Sequence, residues 1–154
     1  MEMKWIINVI LLSVVMNLAL NLSAKPLKEP DKIFVQEMLQ SKNANWELKI
    51  VKDAKKAHME ITSTREQNKV VWRTDDKDIT PEARMELQIH NDGNLILHTY
   101  NNGKTDGIWA SGSVVDPAKI VADNHYHAVL TEDGFLSIDD EKAKVSIWKS
   151  PAHK

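Results

Sequence analysis

Cysteine is absent from all 154 residues, which removes a disulfide framework, thiolate zinc sites and cysteine nucleophiles at once. An excess of one charge is missing too. With 20 basic against 22 acidic residues the formal net charge is -2, so the chain offers no electrostatic footprint for nucleic acid or an anionic membrane. No nucleophile is paired with a base and no carboxylate pair is placed by the sequence, so a hydrolase has no machinery here and no catalytic residue is assigned. Without cross-links, stability has to come from a core, and the length fits one domain.

Long apolar runs are confined to the first two dozen residues. Lys4 precedes an apolar run from Trp5 to Leu20, which ends in Leu22-Ser23-Ala24. This is the three-part layout of a secretory leader, with cleavage expected after Ala24 and the mature protein secreted. The competing reading is a retained anchor, but a span needs about 20 mostly apolar residues, and Asn8 and Asn17 interrupt this one. The acceptor-like Asn21-Leu22-Ser23 lies inside the leader, and no Asn-x-Ser/Thr follows it. Residues 25–30, with Pro26 and Pro30, read as a linker, 31–150 as the domain and 151–154 as a tail.

What is present is a polar row. If His90 to His98 is one strand, then His90, Asp92, Asn94, Ile96 and His98 face one side while Leu95 and Leu97 face the other. A carboxylate, an amide and two imidazoles suit a ligand covered in hydroxyls. The plainer reading makes Asp92-Gly93 a turn and Asn94 a solvated surface residue.

The stretch also recurs. Val71-Trp72-Arg73-Thr74, Ile108-Trp109-Ala110-Ser111 and Ile147-Trp148-Lys149-Ser150 each read β-branched, Trp, any residue, hydroxyl. Alternating runs precede them: Ala57 to Ile61, Asn94 to His98 and Phe135 to Asp139. A repeat of about forty residues means one supersecondary unit used three times, each unit burying its apolar face against the others. Trp72, Trp109 and Trp148, at fixed phase, are expected in the core; stacking on a sugar ring is the alternative.

These residues resemble the bulb-type (monocot mannose-binding) lectins, whose units carry Gln-x-Asp-x-Asn-x-Val-x-Tyr and, about ten residues later, a Trp and a hydroxyl. The resemblance implies an all-β fold, β-prism II, with three antiparallel sheet subdomains in pseudo-threefold symmetry. It implies a carbohydrate site in the second unit at His90, Asp92, Asn94, Ile96 and His98, and mannose-containing glycans as partners. Counted the same way, the third unit gives Thr131, Asp133, Phe135, Ser137 and Asp139. The first, counted back from Trp72, gives Asp53, Lys55, Ala57, Met59 and Ile61. Neither keeps the sugar-binding set. Members of the family dimerise by exchanging the last strand, here near Val145 to Lys149, and many carry a disulfide that this chain lacks.

No metal or other cofactor is expected. The acids at 75–78 lack the glycine and spacing of a calcium loop. His125 and His127 have no clear third ligand. His90 and His98, eight residues apart on an extended strand, would stand roughly 26 Å apart, beyond the reach of one ion. Near the start of the domain, residues 30–41 compete between helix, favoured by composition, and strand, favoured by the resemblance, with Gln36 where the family usually has glycine. Two functions follow: a secreted mannose-type lectin with one pocket, or a β-prism that has lost sugar binding and meets a protein partner.

Overall fold

The computed structural model describes residues 26–28, 31–115 and 125–152. The expected leader, 1–24, lies outside the described residues, as do residues 116–124 between the second and third units. Among the described residues there is no helix. The strands are β1 (Leu27–Lys28), β2 (Lys32–Phe34), β3 (Met38–Gln40), β4 (Trp46–Lys52), β5 (Lys56–Ser63), β6 (Lys69–Arg73), β7 (Lys77–Asp78), β8 (Arg84–Ile89), β9 (Leu95–Asn101), β10 (Lys104–Ala110), β11 (Tyr126–Leu130), β12 (Leu136–Asp140) and β13 (Val145–Lys149).

They form three antiparallel sheets, ordered β3-β4-β5-β6 with β7 paired to β5, then β2-β8-β9-β10, then β1-β11-β12-β13. Alternation decides which side each strand buries. In the first sheet Leu48, Ile50, Met59 and Ile61 point inward; in the second Leu87, Ile89, Leu95 and Leu97; in the third Ala128, Leu130, Leu136 and Ile138. These twelve make one continuous core.

The segment before Trp46 supplies one strand to every sheet. Leu27 pairs with Ala128, Ile33 with Leu87 and Leu39 with Leu48, so every sixth residue drops a buried side chain into the next sheet. Each such burial stabilises by about 1.5–3 kcal/mol. A helix would turn residues six apart to different faces, so the helical alternative over 30–41 is incompatible with this lacing. The expected linker is extended at Leu27–Lys28, but those residues are β1 and Leu27 is core. Gln36, which stands where a glycine was expected, has φ +81.

The hydroxyl that ends each tetrad closes its unit. Thr74 Oγ1 accepts the Met59 N–H, Ser111 Oγ the Leu95 N–H and Ser150 Oγ the Leu136 N–H, at 3.0, 3.0 and 3.2 Å. In return the N–H of each hydroxyl residue donates to the carbonyl of the same partner. Two residues before the hydroxyl in each tetrad is the indole. Trp72, Trp109 and Trp148 pair with Ile61, Leu97 and Ile138 across their hairpins. They are half-buried against the core and meet edge to face, 72 with 109 at 6.3 Å and 109 with 148 at 6.1 Å between ring centres. The expected core role holds, and the chain is a three-sheet β-prism.

Equal clamps also fix the equivalences between units, and they correct one. Met59 matches Leu95 and Leu136, so the first unit's counterparts of Asn94, Ile96 and His98 are His58, Glu60 and Thr62, of which Thr62 is buried beside a register shift. Ala57, Met59 and Ile61, assigned outward by counting from Trp72, are fully buried. The count slipped because the loops differ: residues 64–68 turn the first hairpin where Asn102 and Gly103 suffice in the second.

Candidate functional site

Residues 90–94 are a turn, as the plainer reading had it. The His90 N–H donates to the Asn94 carbonyl at 2.8 Å and the Gly93 N–H to the His90 carbonyl at 3.0 Å. Gly93 has φ +79, which glycine adopts without cost. A Cβ there would lie 2.8 Å from Ile147 Cδ1, on the third unit's last strand. Asp92 Oδ1 accepts the Asn94 N–H at 2.9 Å, the Asx arrangement that stiffens such turns.

The turn reverses the chain, so β8 lies beside β9 and the single row of polar residues does not form. His90 and His98, expected about 26 Å apart on one extended strand, have their Nε2 atoms 3.0 Å apart and their ring centres 5.2 Å apart, so the rings meet end to end with their planes inclined by 20°. The separation that set them too far apart for one ligand is overturned. Ile96 is half-buried on the same outer face. Asn94 turns to the closing corner instead: its Oδ1 accepts from Ser111 Oγ at 3.0 Å and from the Gly112 N–H at 3.1 Å.

Hairpin register brings in residues that the sequence reading missed. Glu86 lies directly opposite His98, and its carboxylate, only 1% exposed, accepts from Lys32 Nζ at 2.5 Å and from the Tyr100 hydroxyl. Arg84 stands over the Tyr100 ring at 5.1 Å. Burial pushes the Glu86 carboxyl up, but the Lys32 and Tyr100 hydrogen bonds outweigh it and hold it below the usual value. Burial, then the hydrogen bond to Glu86 and the charge on it, push the Tyr100 phenol up to about 12. Burial, with His90 second, lowers the His98 pKa. The signal for these partners was the alternation Arg84, Glu86, Gln88 running into an Asp-Gly turn, which fixes Glu86 against His98 once the hairpin is assumed.

His98 Nδ1 is buried with no hydrogen-bond partner among the described residues. A lone pair is less costly to strand there than an N–H. The neutral ring therefore carries its proton on Nε2 and donates to His90 Nε2, an inference from the network.

The same positions in the other sheets hold different chemistry. In the third, His127 faces Asp139 and lies 3.5 Å from Glu141, while Ser137 Oγ donates to Asp139 at 2.6 Å. In the first, His58 lies between Asp76 at 3.0 Å and Glu60 at 3.5 Å. Asp76 also pairs with Arg73, and Asp78 with Lys56. Among the described residues no three His, Cys, Asp or Glu side chains converge to hold a metal. A separate cleft of about 710 Å³ lies between residues 70–76 and Pro151 and Ala152; it takes in Trp72, Thr74 and Asp76 of the first unit but none of His90, Asp92, Asn94, Ile96 and His98.

The sequence matches no family model and no curated protein. Among solved structures the fold is similar to that of the Japanese Marasmius oreades lectin. That likeness has 20% identity and a TM-score of 0.59, and covers 82% of this chain and 90% of that one. It establishes the fold.

Proposed function

We propose that this chain is a secreted, non-enzymatic carbohydrate-binding protein of the mannose-type lectin kind, with its site on the outer face of the second sheet. The observation that carries the reading is the approach of His90 to His98 beside a turn bearing Asp92 and Asn94. It gathers two imidazoles, a carboxylate and an amide at one end of a hairpin, where a straight strand would have given a row too long for one sugar. The name of the structurally similar protein supports the same class. His90 and His98 would exchange hydrogen bonds with hydroxyls, Ile96 would give an apolar contact, and Asp92 and Asn94 would contribute the oxygen and nitrogen that the turn leaves over.

Each such hydrogen bond nets on the order of 1 kcal/mol against water, so one pocket binds a monosaccharide in the millimolar range, and avidity needs a homodimer. NMR titration with methyl mannosides tests this: chemical-shift changes should cluster on 90–98 and be lost in His90→Ala, with melting unchanged. A glycan array with no signal above background overturns it. The result would favour a protein partner, a reading that draws support from the engagement of Asp92 Oδ1 and Asn94 Oδ1 within the fold.

A further inference from the structure

Two Nε2 atoms at 3.0 Å, on rings that meet end to end, are placed as hydrogen-bond partners, and a turn of each ring that swings its lone pair off their shared axis makes them neighbouring ligands of one ion. With nitrogen–metal bonds of about 2.0–2.1 Å, that separation subtends about 94° at the metal. This is the angle between adjacent ligands of a square-planar or octahedral ion, and it is well below the tetrahedral value.

We propose that His90 and His98 form a two-imidazole site for a borderline divalent ion, taking Cu2+ ahead of Ni2+ and Zn2+. Imidazole nitrogen suits all three, the adjacent-ligand angle suits the tetragonal ions, and Cu2+ stands highest in intrinsic affinity. Binding replaces the shared hydrogen bond: the proton on His98 Nε2 moves to Nδ1, and both Nε2 lone pairs go to the ion. The buried Glu86 carboxylate opposite His98 favours a cation there, while Lys32, paired to it, opposes one. No third His, Cys, Asp or Glu joins the pair among the described residues, so the remaining positions go to water or to ligand oxygens.

Affinity is held down by one feature. A metal-bound imidazole is normally oriented by a hydrogen bond from its other nitrogen, worth about 10–100-fold in affinity, and His98 Nδ1 has no partner among the described residues. Micromolar binding is the expectation. The same two rings face the proposed sugar, but the metal titration contains no sugar, so the two readings fail separately.

The experiment is calorimetric titration of the full chain with Cu2+, Ni2+ and Zn2+, together with electron paramagnetic resonance of the Cu2+ form. One Cu2+ should bind with a spectrum showing two equivalent nitrogens. His90→Ala and His98→Ala should each weaken it at least tenfold, and the double variant should be no weaker than either single one, because a chelate is lost once. His127→Ala should leave that ion in place. Should His98→Ala unfold, the exposed-side variant His90→Ala and the two-nitrogen signature still decide. Unchanged Cu2+ affinity in His90→Ala, or equal loss in His127→Ala, overturns the proposal.

Discussion

Removing the hydroxyl that closes each unit should destabilise the fold in all three places. Ser150→Ala deletes the acceptor for the Leu136 N–H, in a pair where Leu136 is fully buried and Ser150 is 4% exposed. Water cannot replace it, so the variant carries the desolvation penalty of one stranded backbone donor, about 1–3 kcal/mol. Thr74→Val keeps the side chain's shape while stranding the Met59 N–H, and belongs in the same range. Ser111→Ala also gives up its bond to Asn94 Oδ1 and its 2.6 Å contact with Ser113 Oγ, so it should sit at the upper end. For a domain of this length a 2 kcal/mol loss lowers Tm by roughly 6–10 °C. The assay is urea unfolding followed by indole fluorescence, with thermal melts beside it. If all three variants lose less than about 0.5 kcal/mol at an unchanged m value, the clamp does not hold the units shut and the physical basis for the repeat fails.

Three other perturbations test different parts of the frame. Gln36→Gly should stabilise by about 0.5–1 kcal/mol, because relief of a non-glycine residue at φ +81 outweighs the added chain entropy; a lower Tm would contradict this. Gly93→Ala should destabilise by about 2 kcal/mol or more, from φ +79 and from contact with Ile147, and should shift Ile147 methyl signals by NMR. Lys32→Met should cost about 1–3 kcal/mol at neutral pH, less than a fully buried pair because Lys32 is one-third exposed. The lowered folded pKa of Glu86 gives stability that is present above its unfolded value near 4.5 and lost as pH falls through the folded one. In Lys32→Met the acid limb of a Tm against pH curve should therefore move to higher pH.

Much of this fold was legible because long hairpins write their own pattern. Met85, Leu87, Ile89, Leu95 and Leu97 alternate across an Asp-Gly turn, and three Trp tetrads mark three units. The lacing by Leu27, Ile33 and Leu39 was not legible, since strands of two or three residues leave no alternation to read, and Pro26 and Pro30 suggested a linker. The site was half legible. Its residues were named, but treating 90–98 as one strand spread them along a line. Their true neighbours, Glu86, Tyr100 and Lys32, become visible only through cross-strand register, and no run of residues in the sequence displays register directly.

That division between frame and face explains why one unit can carry a site that its sister units lack. The features common to all three sheets, meaning the inward aliphatic residues, the indoles and the clamping hydroxyls, all point into the prism or back onto their own backbone. The pairs on the opposite face are Glu47 with Thr62 in the first sheet, Glu86 with His98 in the second and His127 with Asp139 in the third. Where both partners face solvent, an outward pair can change chemistry at little cost in folding. Two of these residues are not solvent-facing: Thr62 of the first sheet is 1% exposed, and Glu86 of the second is buried under Lys32 and Tyr100. Lys32 comes from the lacing segment, so residues that hold the N-terminal strand to the second sheet also shape the floor beneath His98. Loosening β2 should then disturb the His90 and His98 pair before it disturbs the corresponding faces of the other two sheets.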